Sequence, residues 1–134
     1  MQFTTQMSEE LGRYLNLSSL ELKLTAQNMA NIDTPGYRAM GFDFAEEMAR
    51  SVGDIVAEQR EEMVTGKTAQ GWKSQPVPVK QVDGLLERPD GNNVSMDRES
   101  LNMAEAQLQF RAGEELLKSE FSSVLDAIHV DQKS

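Results

Sequence analysis

Few residues in this sequence could do chemistry. His129 is the single histidine and lies near the end of the chain, where a helix frays, a poor place for a general base. The paired acids Glu46-Glu47, Glu61-Glu62 and Glu114-Glu115 are sequence neighbours, so on a helix they point in different directions. A carboxylate pair working as acid and base must instead face each other across a pocket. Asp90-Gly-Asn-Asn-Val-Ser opens like a calcium loop for three residues. Its fifth position is then Val94, its sixth Ser95 rather than glycine and its twelfth Leu101 rather than glutamate, so a turn feeding a helix is the better reading. Gly91 and Gly113 stand alone and make no phosphate loop. With no cysteine there is no disulfide, thiolate zinc site or cysteine nucleophile. The residues therefore predict no enzyme, no metal and no cofactor.

The more informative group is Ala26-Gln-Asn-Met-Ala-Asn-Ile-Asp-Thr-Pro-Gly-Tyr-Arg-Ala39, which cuts off a long helical pattern while it is still strong. Leu11, Leu15, Ser18, Leu22, Thr25, Met29 and Ile32 recur at alternating spacings of four and three. That period near 3.5 suits a helix over 7–32 packed on another helix, about 39 Å long. Leu17, Leu20 and Leu24 widen the apolar face. Pro35 lacks an amide hydrogen and disfavours helix at Thr34. Pro35-Gly36 fits the central positions of a type II turn, because glycine tolerates the positive φ required there. Asn28 and Asn31 sit three apart, where their amides can bond backbone groups left open at a helix end. Tyr37 can anchor the corner by ring burial, its hydroxyl reaching a backbone group.

A second helix is expected over 95–129, capped by Ser95 or Asp97 with Glu99 in its first turn. Met103, Gln107, Phe110, Glu114, Leu117, Phe121, Val124 and Ile128 again alternate by four and three, and Leu101, Ala104, Leu108 and Ala112 form a neighbouring stripe. Gln107 and Glu114 on that seam would be unsatisfied in a plain hydrophobic core. Gly113 is a weak spot, costing about 1 kcal/mol against alanine.

Residues 33–94 read as a loop-rich middle. Phe42, Phe44, Met48, Val52, Ile55, Val56 and Met63 fit one or two helical stretches broken near Gly53. Pro76 to Val82 is extended, and Asp83-Gly84 signals a hairpin with Leu85–Arg88 as its return strand. Trp72 reads as the anchor of a surface loop. The fold class is mainly α: one domain over 1–134 whose long terminal helices pair as a coiled-coil-like hairpin, with an irregular middle holding a short helix and a β-hairpin.

Of the 134 residues 39% are hydrophobic and 6% aromatic, so the core is modest. A net charge of −9 repels phosphate backbones and argues against nucleic acid. No run of about 18 apolar residues predicts a membrane span, and Met1 to Glu10 lacks the basic and apolar stretches of a cleavable secretory signal.

Asn28-Met-Ala-Asn-Ile-Asp-Thr-Pro-Gly-Tyr-Arg38 is similar to the signature of the bacterial flagellar axial family of rod, hook and hook-associated proteins. Gly41-Phe-Asp-Phe44, Arg88-Pro-Asp-Gly-Asn-Asn-Val94, Ala104-Glu-Ala-Gln-Leu-Gln-Phe-Arg111 and the short length look like the proximal-rod members of that family. The matching motif positions are Asn28, Asn31, Thr34, Pro35, Gly36, Tyr37, Asp90, Gly91 and Asn92. The resemblance implies a subunit exported without signal cleavage through the flagellar type III apparatus, assembled helically in the periplasmic rod around the export channel to transmit torque. It implies as partners other copies of the chain, other rod proteins, the rod-base adaptor protein and the export gate. Leu11, Leu15, Leu22, Met29, Ile32, Met103, Phe110, Leu117, Phe121, Val124 and Ile128 would then be assembly seams. A soluble helical adaptor or export-chaperone-like binding module would explain the seams but not the Thr34–Tyr37 corner.

Because β-branched residues resist positive φ, Gly36→Val should block assembly while leaving expression intact, scored by immunoblot and swimming motility.

Overall fold

The structure, a computed structural model, describes residues 5–66 and 75–131. Helix α1 (Gln6–Ala30) is followed by strand β1 (Met40–Gly41), helix α2 (Phe44–Thr65), strand β2 (Lys80–Gln81) and helix α3 (Met96–Asp131). Trp72 lies outside the described residues.

Each helix starts where a short polar side chain can take an open amide. The Thr5 hydroxyl accepts the Ser8 amide at 3.1 Å and the Asp43 carboxylate the Glu46 amide at 2.9 Å. Ser95, rather than Asp97, takes the cap position of α3, its carbonyl accepting the Glu99 amide at 2.9 Å. α2 ends on Gly66, whose φ of 64° closes the last turn.

α1 and α3 run antiparallel. The Thr5 hydroxyl donates to Glu120 at 2.7 Å, Tyr14 and Leu15 lie against Gly113, and Asn28 meets Glu99 at 3.1 Å. The line of α3 that faces α1 is Glu99, Ala106, Gly113 and Glu120, with Met103, Phe110, Leu117 and Val124 beside it. Gln107 and Glu114 are exposed, so these two polar positions of the expected seam take no part in the α1–α3 contact. The reason is steric. The helices approach where α3 is small, with Ala106 and Ser18 both fully buried. A Cβ on Gly113 would come within 2.9 Å of the Tyr14 ring and 3.0 Å of Leu15, so this glycine is a point of close approach rather than a weak spot.

The middle is less irregular than its composition suggests. α2 is an unbroken helix of 22 residues, which corrects the break expected at Gly53. Glutamates are good helix formers, and Gly53 faces open space, where its cost of about 1 kcal/mol is tolerated. α2 buries only Glu47 and Ile55 and rests on α1. Tyr14 meets Phe44 edge-on with ring centroids 5.4 Å apart, and buried Arg13 donates to the Ser51 carbonyl at 2.9 Å. Glu47 pairs with Arg50, which also reaches Gln75 at 3.0 Å.

The two-stranded ribbon pairs Met40 with Gln81 and Gly41 with Lys80, antiparallel. Leu85–Arg88 is therefore not the return strand, although Gly84 does turn the chain, at φ 77°. A local hairpin is marginal alone. Residues 39–41 are already held by α1 and give β2 a fixed template, and Val82 extends the pairing by donating to Ala39 at 2.8 Å.

Replacing Gly113 by valine is expected to cost about 1–3 kcal/mol by overpacking the α1–α3 contact, against the small gain that helix propensity alone would give, measured by thermal unfolding.

Candidate functional site

The end of α1, the Thr34–Tyr37 turn and the segment entering α3 form one hydrogen-bonded corner. Asn28, in the last turns of α1, is buried. Its Oδ1 accepts from the Met40 amide at 2.9 Å and the Tyr37 hydroxyl at 3.1 Å, while its Nδ2 donates to the Met40 carbonyl at 2.9 Å and to Glu99 at 3.1 Å. All four hydrogen-bonding positions of one amide are used. They tie α1 to β1 and to the first turn of α3. Tyr37 thus reaches a side chain, not the backbone group expected. Burial and then the nearby Glu99 raise its phenol pKa, so it remains a donor.

Asn92 works from the other side. It is fully buried, and its Nδ2 is shared among the carbonyls of Asn31, Ile32 and Thr34 at 2.9, 3.1 and 2.8 Å. These are acceptors that the end of α1 leaves open. Arg88 donates to the Ile32 carbonyl as well. Asn93 accepts the Ala39 amide at 2.7 Å, and its own amide donates to the Tyr37 carbonyl. Asn31 is more local: it donates to Gln27 at 2.8 Å and accepts from the Thr34 hydroxyl.

Two glycines let the segments meet. Tyr37 donates to the Thr34 carbonyl across the Pro35-Gly36 turn, with Gly36 at φ 73°, as a type II turn requires. The Gly36 amide donates to the Asp90 carbonyl at 2.8 Å. Gly91, at φ 84°, lies against it, and a Cβ there would sit 3.3 Å from the Gly36 Cα. Asp90 holds the Asn92 amide at 3.0 Å, so Asp90-Gly91-Asn92 spends its polar atoms on the joint.

Beside the corner is a polar groove of about 360 Å³ whose lining includes Glu21, Thr25, Asn28, Lys80 and Arg98. Burial, and secondarily Glu105, raises the Glu21 pKa. The stability gained by protonating Glu21 is therefore present below the ordinary carboxyl pKa and is lost as pH rises through the raised value. Among the described residues no three His, Asp or Glu side chains gather as a metal set. His129 stands exposed in the last turn of α3.

Comparison with known proteins decides what this arrangement belongs to. The flagellar basal body rod protein FlgB of Salmonella typhimurium is 32% identical over 123 residues, covering 85% of this chain and 86% of the relative. The chain belongs to the FlgB family of flagellar basal body rod proteins. The FlgB of Borrelia hermsii is 30% identical over 127 residues, covering 89% of this chain and 93% of its own length. That of Yersinia enterocolitica is 28% identical over 124 residues. No family model matches the chain.

In this FlgB-family chain the corner unites every motif position singled out in the sequence except Pro35, whose ring faces solvent. It adds Arg88, Asn93 and Glu99. Arg88 and Asn93 lie within the Arg88–Val94 stretch that resembles the family, and Glu99 reads in sequence only as a first-turn acid. The seam positions lie elsewhere. Leu11 is buried, Leu15, Leu22, Met29, Ile32, Met103, Phe110, Leu117 and Val124 are half-buried, and Phe121 and Ile128 are exposed. Leu15, Leu22 and Met29 are on the side of α1 away from Leu17 and Arg13, which face α2.

Asn28→Ala should cost about 3 kcal/mol, because it strands buried groups on three segments. Asn31→Ala, whose bonds are local and exposed, should cost about 0.5–1 kcal/mol in the same denaturant titration.

Proposed function

We propose that this chain is a structural subunit of the flagellar rod with no catalytic task. It assembles helically with copies of itself and with other rod proteins, encloses the export channel and passes torque outward. The rod-base adaptor and the export gate are its neighbours at the proximal end. The observation that carries this reading is the surface of α3. Met103, Phe110 and Leu117 lie along α1, while Leu101, Leu108, Leu116 and Leu125 are more than half exposed on other faces. A helix apolar on several sides is one that is surrounded when it works. Among the described residues α1 covers one side of α3, and α3 continues past it: the Thr5–Glu120 bond marks the start of α1, and residues 121–131, about 16 Å of helix, extend beyond that bond.

Enclosure by neighbours suits a torque-bearing wall. Each Å² of apolar surface covered contributes about 25 cal/mol, so resistance to shear comes from many modest contacts repeated in every copy. The corner fixes where the middle leaves the helical pair, so all copies present the same faces. An adaptor or export chaperone needs one binding face; several on one helix favour a polymer. No helix among the described residues is long and apolar enough to cross a membrane, which suits a part held by protein contacts.

Fractionation of motile cells tests this. The chain should co-purify with detergent-extracted basal bodies, and its deletion should abolish swimming; recovery wholly as a freely diffusing cytosolic protein would sink the reading.

A further inference from the structure

Two stripes on different helices, one open along its small residues and one open throughout, have complementary shapes. On α1, Gly12, Leu15, Ser19, Leu22, Ala26 and Met29 follow one another at steps of three and four, alternating small and large. None is charged. At 100° per residue Gly12, Ser19 and Ala26 lie about 100° round α1 from the line of Leu11, Ser18 and Thr25 that faces α3; the half-buried Leu15, Leu22 and Met29 lie between, and the whole stripe is away from Arg13 and Leu17, which face α2. A Cβ on Gly12 would meet nothing within 4 Å, so the notch is open.

On α3, Leu101, Ala104, Leu108 and Ala112 make a second uncharged stripe of alternating size. It points away from α1, on the side opposite Ala106 and Gly113, and Leu101 and Leu108 are 68% and 70% exposed. Large residues at this spacing on one helix fit between small-residue gaps on another, as ridges fit grooves. Lys23 flanks the α1 stripe and Glu105 the α3 stripe, and neither makes an ion pair among the described residues. Opposite charges would therefore border the contact.

We propose that neighbouring copies of this chain join by seating the outer α3 stripe of one copy, Leu101 to Ala112, on the α1 stripe of the next, Gly12 to Met29. The inference rests on the rod-subunit reading and specifies its self-contact. The two stripes are distinct surfaces of one subunit, so the contact is heterologous. Such a contact leaves one stripe of each kind free at the ends and propagates, whereas an isologous contact stops at a dimer.

The absence of cysteine makes the test direct. Leu22→Cys and Leu108→Cys, the second in a size-tagged chain, are produced together in motile cells, which are then treated with a mild oxidant. A mixed disulfide of intermediate size is expected, with little dimer from either variant alone, and the doubly substituted chain should give a ladder of higher oligomers. Leu22 and Leu108 face different directions within one subunit, so no internal disulfide competes. Dimers of Leu108→Cys alone that match the mixed yield would mean back-to-back α3 pairing and overturn the proposal. Absence of the mixed species, in cells that still swim and whose basal bodies contain both variants, would also overturn it while leaving the rod-subunit reading intact.

Discussion

The rest of the structure depends on one buried carboxamide. Asn28 sits where α1 ends, β1 begins and α3 starts, and its four bonds leave no polar atom of the group unmatched. A buried amide that satisfies all its positions rigidifies what it touches, because each lost bond would strand a partner in a low-dielectric site. From this point outward the architecture follows. Residues 39–41 become a template for β2, the middle returns along α1, and α3 starts in register with α1. The register then brings Gly113 against Tyr14 and Glu120 against Thr5, some fourteen and twenty-one residues further along α3.

Much of this was legible in sequence, for identifiable reasons. The two terminal helices declared themselves by apolar period, and the corner by a proline-glycine pair that leaves the chain few conformations. The α3 packing line was not legible, because its four facing residues are Glu99, Ala106, Gly113 and Glu120. A search for apolar side chains passes over the small or polar residues that let two backbones approach, and chooses the adjoining Met103, Phe110 and Leu117 instead. α2 was legible in part: the apolar residues from Phe42 to Met63 indicated one or two helical stretches, but Gly53 and the sparse burial among five glutamates hid that they form a single helix. The link from Asn92 to the end of α1 spans about sixty residues, and nothing local to either segment announces it.

The helical pair and the corner divide the work of a rod subunit. The pair offers apolar surface on several sides and gains by being surrounded. The corner offers almost none, since its contacts are directed hydrogen bonds inside the subunit. Stickiness without orientation would give disordered aggregates, and orientation without stickiness would give a monomer. Assembly into a regular wall needs both in one chain, and here they occupy separate places.

The bonds of the corner are mostly between neutral amides, carbonyls and a phenol, in contrast to the exposed Arg38–Glu87 pair nearby. Screening by salt weakens exposed ion pairs and hardly touches buried neutral bonds. The angle between the helical pair and the middle is therefore set by contacts indifferent to ionic strength. A joint built this way holds its shape across compartments whose salt content differs, and hands every new subunit the same geometry to build on.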